Sequence, residues 1–142
     1  MSAINYFMCE ELNDLLKQQY RIYMCGDLER PQEIAPCIFD DKLEIGTSLY
    51  EEYTADTPHF HSKDTEYNFV VKGCVRLYLY DTKEMLEFKE GSLFVLAPGT
   101  RYASKNAPGT QVLFVKCPGG NDKTLYEYDD ELKNWLKGWD KN

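Results

Sequence analysis

The hydrophobic positions of the chain follow two different periods. Between residues 7 and 20, apolar side chains recur at roughly helical spacing and polar side chains fill the other face, which predicts a short amphipathic helix. From Leu43 onward the period becomes two, and Ile45, Thr47 and Leu49 alternate with a second set of side chains, as on a β-strand. The sequence therefore predicts a helix first and a strand-rich region after it.

Short strand candidates occur at close spacing along the chain. One lies at residues 21–24, and the others at residues 60–62, 67–72, 75–80, 84–88, 93–96, 101–104 and 111–117. Turn dipeptides such as Lys72-Gly73 and Pro98-Gly99 separate them. Many short strands punctuated by turn residues predict an all-β sandwich or barrel.

A second helical pattern lies near the end of the chain, at residues 129–139. It places four apolar side chains on one face: Leu132, Trp135, Leu136 and Trp139. Asp129 or Asp130 is a suitable N-cap for this helix. Two tryptophans on one stripe are more typical of a packed core than of a ligand site, so we expect the helix to pack on the barrel or on a partner subunit.

No stretch of the chain is a linker long enough to separate two domains. We expect one domain with three parts. Residues 1–42 form an N-terminal helix and a connecting segment packed on the barrel, residues 43–120 form the barrel, and residues 121–142 form the C-terminal helix.

Charge and cysteine content narrow the classes of partner. Sixteen basic and 24 acidic residues give a net charge of -8, which repels phosphate backbones, so we expect neither nucleic acid nor an anionic membrane as a partner. No apolar run approaches the ~18 residues of a membrane span, and we see no secretory signal pattern. The five cysteines include no C-x-x-C pair, so we expect a cytoplasmic protein without a disulfide framework.

The only two histidines, His59 and His61, are separated by one residue. On a β-strand such residues point to the same face, so the two imidazoles converge on one spot. Glu66 follows five residues after His61, which is enough for the chain to turn and return a carboxylate. Imidazole nitrogen and carboxylate oxygen are ligands for a first-row divalent metal. Taken alone, an isolated His-x-His pattern is more often a pair of histidines on a solvated strand.

These residues resemble the first signature of the cupins: His59, one residue, His61, four residues, Glu66, six residues, Gly73. A weakened second signature follows at the family's spacing: Gly91, Ala97, Gly99, Tyr102 and Asn106. The resemblance spans roughly residues 43–117. It implies an all-β, cupin-type β-jelly-roll barrel, here with short N-terminal and C-terminal helices. It also implies a homodimer, because small cupins commonly pair through sheet edges.

Two positions depart from the second signature. Ala97 replaces the family's usual proline, although Pro98 beside it can hold the turn. Tyr102 replaces the family's usual third histidine ligand. A phenol titrates near pH 10, so it ligates only where the metal can take its proton. Three roles for Tyr102 stay open: a direct ligand, a hydrogen-bond partner of a metal-bound water, or a filler of the space of a lost ligand.

The resemblance implies a divalent metal ion (Fe, Mn, Ni or Zn) held by His59, His61 and Glu66, with Tyr102 as a further candidate ligand. Such a set leaves coordination positions open for water or substrate. We expect a small polar metabolite as the ligand, such as a carbohydrate or organic acid. If the protein is an enzyme, Tyr102 or Glu66 handles protons in catalysis.

Two alternatives accompany this expectation. One is a non-catalytic module that binds a small ligand and has a vestigial metal site. The other, which the resemblance also implies, is metal-free epimerase chemistry, which needs a catalytic histidine with an acidic partner and a tyrosine. An empty pocket, with Tyr102 facing a histidine across a sugar-sized gap, would indicate it. The convergence of His59, His61 and Glu66 favours a ligand set over that arrangement.

Three more residues are candidate substrate contacts. Asn68 shares the face of Glu66, so it contacts the ligand or orients that carboxylate. Arg76 and Tyr78 would bind an anionic or hydroxylated ligand if they point into the barrel. The other face of the same strand would then point outward, and it carries three aliphatic residues that favour the opposite orientation: Val75, Leu77 and Leu79.

Overall fold

The computed structural model of the protein describes residues 3–142. These residues form two helices, α1 (Cys9–Gln19) and α2 (Asp130–Trp135). They also form twelve strands: β1 (Arg21–Gly26), β2 (Ile38–Phe39), β3 (Glu44–Tyr50), β4 (Thr54–Ala55), β5 (His59–His61), β6 (Thr65–Lys72), β7 (Cys74–Leu79), β8 (Glu84–Lys89), β9 (Leu93–Leu96), β10 (Tyr102–Asn106), β11 (Thr110–Cys117) and β12 (Lys123–Leu125). Neither of these helices has the length and apolar composition that a membrane span requires.

The strands form two facing sheets. The first sheet has the order β2-β1-β3-β11-β6-β9, and the second has the order β12-β5-β10-β7-β8 with β4 paired to β10. Val70 and Val112 of the first sheet pack against Val75 of the second, and Leu96 packs against Leu77 in the same way. The core therefore lies between the sheets, and the predicted all-β jelly-roll barrel is confirmed.

The alternating sequence of β6 shows how the barrel acquires an inside and an outside. Asn68 and Val70 are buried, whereas Tyr67, Phe69 and Val71 are exposed. Successive side chains of a strand point to opposite faces, so one face of β6 lines the core and the other faces outward. The site described below is built on the inward face.

Two glycines permit close approaches between strands. Gly73 closes the turn from β6 to β7 with a φ of +84°, and a Cβ there would clash with the side chain of Thr110. Only glycine adopts this left-handed conformation without strain. Gly46 lies on β3 opposite Phe114, and a Cβ there would overlap that ring. The closing glycine of the first signature therefore has a steric role.

Each helix covers part of the outer face of a sheet. Leu15 and Leu16 of α1 are buried against Ile22 of β1 on the outside of the first sheet. Leu132 and Trp135 of α2 are buried against β7 and β10 on the outside of the second sheet. Helix α2 begins at the predicted N-cap, since Asp129 accepts a hydrogen bond from the backbone N–H of Leu132.

Lys105 of β10 fixes the segment that follows α2. Its buried ammonium donates to the carbonyl oxygens of Trp135, Gly138 and Lys141 at 2.9, 3.0 and 2.7 Å. It also lies 4.1 Å from the centre of the Trp135 ring. Burial, with a further effect of Arg76, lowers the pKa of Lys105 to about 8, so the ammonium stays mostly charged at neutral pH. The three acceptors match the three protons that it carries.

The sequence predicted the longer elements within a few residues of their observed ends. It did not predict β2, β4 and β12, which have two or three residues each. Elements this short contain too few alternations for a period to be read from them. Because β1 belongs to the first sheet and β12 to the second, both sheets include residues outside the range 43–120.

Candidate functional site

The two histidines of β5 lie side by side inside the barrel. His59 and His61 are 8% and 7% exposed. Their ring centroids are 5.1 Å apart, and the rings are almost perpendicular. β5 pairs with β12 on one side and with β10 on the other, where Tyr102 is opposite His59. The strand periodicity therefore places both imidazoles on the same face, as predicted.

Glu66 reaches the histidines from the other sheet. It lies on β6, and its Oε2 is 3.4 Å from Nε2 of His61. One ligand atom from each of His59, His61 and Glu66 lies within 4.8 Å of the others. The tight connection at residues 62–64 turns the chain from the second sheet into the first. The structure thus brings together the three predicted ligands.

A backbone carbonyl fixes the ring of His59. Nδ1 of His59 lies 2.6 Å from the carbonyl oxygen of Thr57. A carbonyl only accepts, so Nδ1 carries the proton and Nε2 presents a lone pair to the site. Burial lowers the pKa of His59, although the Thr57 carbonyl opposes this effect. His59 is therefore a neutral imidazole in the form that binds metals.

A carboxylate fixes the ring of His61. Nδ1 of His61 lies 2.7 Å from Oδ1 of Asp122. Burial alone would lower the pKa of His61, but hydrogen bonds with Glu66 and Asp122 outweigh it and raise this pKa. Histidines that bind metals are commonly held in this way by a carboxylate on the second nitrogen. The outward nitrogen of each ring is thus engaged, and each Nε2 faces the site.

Asp122 ties the C-terminal loop to the turn after β5. Its Oδ2 accepts hydrogen bonds from the backbone N–H groups of Lys63 and Asp64, both at 2.8 Å. Burial opposes ionisation, but the hydrogen bonds from His61 and these two N–H groups lower the pKa of Asp122. Sequence reasoning missed Asp122, because it is 61 residues from His61 along the chain and no local pattern links the two.

Asp64 forms a second layer behind Asp122. Its Oδ1 accepts a hydrogen bond from the N–H of Gly119 at 2.8 Å, and within residues 3–142 its buried Oδ2 has no partner. Burial and the nearby Asp122 carboxylate raise the pKa of Asp64. One possible ligand atom from each of His61, Asp64 and Asp122 also lies within 4.8 Å of the other two. Both oxygens of Asp122 already accept hydrogen bonds, so we interpret this second group of side chains as the support of the His61 ring.

Tyr102 occupies the centre of the site. Its hydroxyl lies 2.9 Å from Nε2 of His59 and 2.9 Å from Oε2 of Glu66. Burial and the Glu66 carboxylate raise the pKa of Tyr102 well above its ordinary value, so the phenol keeps its proton. One hydroxyl proton cannot serve both acceptors. The site therefore contains more lone pairs than donors, and no sugar-sized gap separates Tyr102 from His59.

The structure separates the three predicted substrate contacts. Asn68 is buried and lines the interior cavity with Glu66 and Tyr102. Arg76 lies on the outer face, where its Nε donates to Glu87 at 2.9 Å and its guanidinium lies 4.0 Å from the centre of the Trp139 ring.

Tyr78 is also on the outer face, 5.3 Å from the Trp135 ring of α2. Val75 and Leu77 point inward and belong to the core. The prediction that Arg76 and Tyr78 contact a ligand in the barrel is therefore wrong. Both faces of β7 are buried, because α2 covers the outer one, and Tyr78 serves packing on that side.

A different arginine reaches the cavity. Arg21 of β1 donates from Nε to Oγ of Ser48 at 2.8 Å and from Nη2 to the hydroxyl of Tyr50 at 3.3 Å. It lines the interior cavity of about 50 Å³. It also lines two open clefts, of about 660 and 580 Å³. Sequence reasoning missed this role, because the pairing of β1 with β3 that turns Arg21 inward has no local signal.

Comparisons by sequence identify no relative. No family model matches the chain, and no curated protein matches it in sequence. The likeness to known proteins is therefore found in the structure.

Solved structures match this fold. KdgF from Halomonas sp. superposes with a TM-score of 0.54 at 20% identity, over 66% of this chain and 90% of KdgF. Pac13 of Streptomyces, a nucleoside dehydratase, has a TM-score of 0.54 at 18% identity, over 63% of this chain and 72% of Pac13. Oxalate decarboxylase from Bacillus subtilis has a TM-score of 0.54 at 19% identity, over 61% of this chain.

The aligned region spans only 24% of the length of oxalate decarboxylase. All three neighbours are cupin-fold proteins, and at these identities the likeness shows a shared fold. The two facing sheets and the grouping of His59, His61 and Glu66 agree with that fold. The chain is a cupin-fold protein.

Proposed function

We propose that this protein binds one divalent metal ion through His59, His61 and Glu66 and acts on a small polar metabolite beside it. The observation that carries the proposal is the mutual distance of 4.8 Å or less among one ligand atom from each residue. The second nitrogen of each ring is engaged elsewhere, so both rings are already oriented toward the ion.

The donor set fits such an ion. Two imidazole nitrogens and one carboxylate suit Fe, Mn, Ni or Zn and leave coordination positions open. When bound there, the ion would act as a Lewis acid toward an oxygen of the ligand. Oxalate decarboxylase from Bacillus subtilis, with the same fold, contains Mn(II) centres, which supports manganese as one candidate.

The protein's own residues would bind the metabolite and handle protons. Tyr102 holds a proton at its hydroxyl beside Glu66, in a position to donate it to a ligand group. The interior cavity of about 50 Å³ has room for only one or two waters, at about 30 Å³ each. The metabolite would therefore bind in the clefts that open at Arg21, with only its reacting end near Tyr102 and Asn68.

A second candidate function is favoured by the position of Tyr102. Its hydroxyl lies within hydrogen-bond distance of two of the three ligand residues, so the group holds together without an ion. The protein would then be a non-catalytic module that binds a small ligand near Arg21 and has a vestigial metal site.

Metal titration of chelator-treated protein separates the two candidates. We expect one ion of Mn, Fe, Ni or Zn to bind per chain by isothermal titration calorimetry. Glu66→Gln should abolish binding, whereas the matched control Glu87→Gln, on the outer face, should not. A folded protein that binds none of the four ions, or an equal response of the two variants, would favour the vestigial site. Turnover is then sought by NMR with small sugars and organic acids, with and without the ion.

A further inference from the structure

The outer face of the first sheet is covered over only part of its width. Helix α1 packs on β1 and β3, where Ile22 is fully buried. On the outer faces of β6 and β9, by contrast, large apolar side chains remain exposed in the part of the chain that the structure describes, and Leu113 and Val115 of the neighbouring β11 are half-buried. Five of them are 39–60% exposed: Tyr67, Phe69, Val71, Leu93 and Val95.

These side chains form continuous rows across three adjacent strands. Leu113 is opposite Phe69, which is opposite Leu93. Val115 is opposite Tyr67, which is opposite Val95. Cross-strand neighbours on one face lie about 5 Å apart, so the rows are in contact. We call this set the apolar face: Tyr67, Phe69, Val71, Leu93, Val95, Leu113 and Val115.

Apart from Lys72, which is opposite Gln111 at one end of β6, the outward positions along these strands carry no charge. Thr65 extends the row of β6 and Cys117 extends that of β11. Elsewhere the chain is rich in charge, with 28% charged residues and a net charge of -8. A sheet face that remained in water would normally alternate to polar and charged side chains. The apolar face therefore has the composition of a buried surface.

We propose that the apolar face binds a second copy of this chain in a two-fold symmetric dimer. A two-fold axis places one patch against the same patch, so the patch must be compatible with itself. Most of this acidic surface would repel a copy, whereas an uncharged face brings no like charges together. The absence of lysine and arginine from the apolar face gives an anionic membrane no electrostatic attraction.

The size of the face fits the centre of such an interface. Strands spaced by about 4.8 Å and alternate residues spaced by about 6.8 Å give roughly 14 Å by 20 Å for three strands and three outward residues. A standard interface covers roughly 800 Å² on each partner, with an apolar centre and a polar rim. The apolar face would supply that centre, and the surrounding positions of the sheet would supply the rim.

This arrangement differs from pairing through sheet edges and connects to the site. The strand at its middle, β6, carries Glu66 and Asn68 on the inward face and Tyr67 and Phe69 on the outward face. A partner packed on the outward face would support the strand that positions the Glu66 carboxylate. The dimer would therefore stiffen one side of the candidate metal site.

Sedimentation velocity of the full chain over a range of concentrations tests the proposal. We expect a species of about twice the 16.6 kDa mass of the chain. Phe69→Lys should raise the dimer dissociation constant at least about tenfold, because it buries two like charges near the axis. The matched control Met85→Lys replaces an apolar side chain that is 53% exposed on the second sheet, and it should leave the constant unchanged.

Each other outcome overturns the proposal. A wild-type protein that stays monomeric, or a dimer that Phe69→Lys and Met85→Lys affect equally, excludes the apolar face as the interface. Co-sedimentation of monomeric protein with phosphatidylcholine vesicles would assign the face to lipid instead. Should Phe69→Lys fail to fold by circular dichroism, Leu93→Lys takes its place, since Leu93 is 60% exposed and at the sheet edge.

Discussion

The two halves of the candidate metal site differ although their histidines are neighbours on one strand. On one side, a backbone carbonyl of Thr57 holds the His59 ring, and burial lowers the pKa of His59. On the other side, His61 lies between the carboxylates of Glu66 and Asp122, which raise its pKa. One ring is thus kept neutral and the other attracts a proton.

The opposite pKa shifts of the two histidines determine which ring holds a proton that a metal ion would have to displace. Ligands bind metal in their deprotonated form, so a metal ion at this site would compete with the proton that Glu66 and Asp122 favour on His61, and much less with a proton on His59. The difference between the two rings also determines what mutation can change. No side-chain substitution removes the Thr57 carbonyl, whereas the support of His61 depends on one carboxylate, Asp122, from a distant loop.

The largest expected loss of metal affinity follows from removing either histidine, one from each half of the site. His59→Ala and His61→Ala should each weaken metal binding by more than about 100-fold, which exceeds the ~10–100-fold loss typical of an outer hydrogen-bond partner. Competition with a metallochromic chelator measures both losses. A variant of either histidine that still binds the ion with wild-type affinity would show that its ring is not a ligand.

The second-largest expected loss of metal affinity follows from removing the carboxylate that holds the His61 ring. Asp122→Asn places an amide where a carboxylate accepts the proton of Nδ1, so the His61 ring loses its fixed tautomer. We expect metal affinity to fall by about 10–100-fold with the fold intact. The control Asp41→Asn changes an exposed carboxylate before β3 and should have no effect. Equal affinities for the two variants would contradict a positioning role for Asp122.

The hydroxyl of Tyr102 contacts both His59 and Glu66. Replacing Tyr102 tests whether a third imidazole at its position would strengthen metal binding. Tyr102→His supplies an imidazole at the position that the resemblance to the cupin signature matches to a third histidine ligand. It should increase metal affinity by about tenfold or more, because one ligand is added to three. Tyr102→Phe, which adds no ligand, should change affinity by less than about threefold. A gain of affinity in Tyr102→Phe as large as in Tyr102→His would show that removal of the hydroxyl alone improves binding.

The sequence predicted the part of the site that depends on strand periodicity. His59 and His61 converge because alternate residues share a face, and the return of Glu66 requires only a short turn. The strand pattern alone predicted an all-β sandwich or barrel, and the resemblance of the two signatures to those of the cupins predicted the cupin fold. These are local properties, and local properties can be read from one sequence.

The parts that the sequence could not predict depend on which surfaces meet. Asp122 reaches His61 only because β12 pairs with β5, and Arg21 enters the cavity only because β1 pairs with β3. Arg76 and Tyr78 of β7 were candidate ligand contacts only if they pointed inward, and the structure has Val75 and Leu77 on that face instead. Alternation shows that a strand has two faces but not which of them the barrel encloses.

The smallest expected effect is a difference in titration between the two rings. The pKa of His61 in the folded chain is raised, so its stabilising contribution is complete below its unfolded value of about 6.5 and is lost as the pH rises through the folded pKa. For His59 the pH dependence of stability has the opposite sign: its folded pKa is lowered, and stability is lost as the pH falls through that pKa.

Because the chain has only these two histidines, NMR of the metal-free protein resolves both rings. We expect His61 to titrate above pH 6.5 and His59 below it, and Asp122→Asn should lower only the former. Identical titration of the two rings would show that the Thr57 carbonyl and the Asp122 carboxylate do not distinguish them.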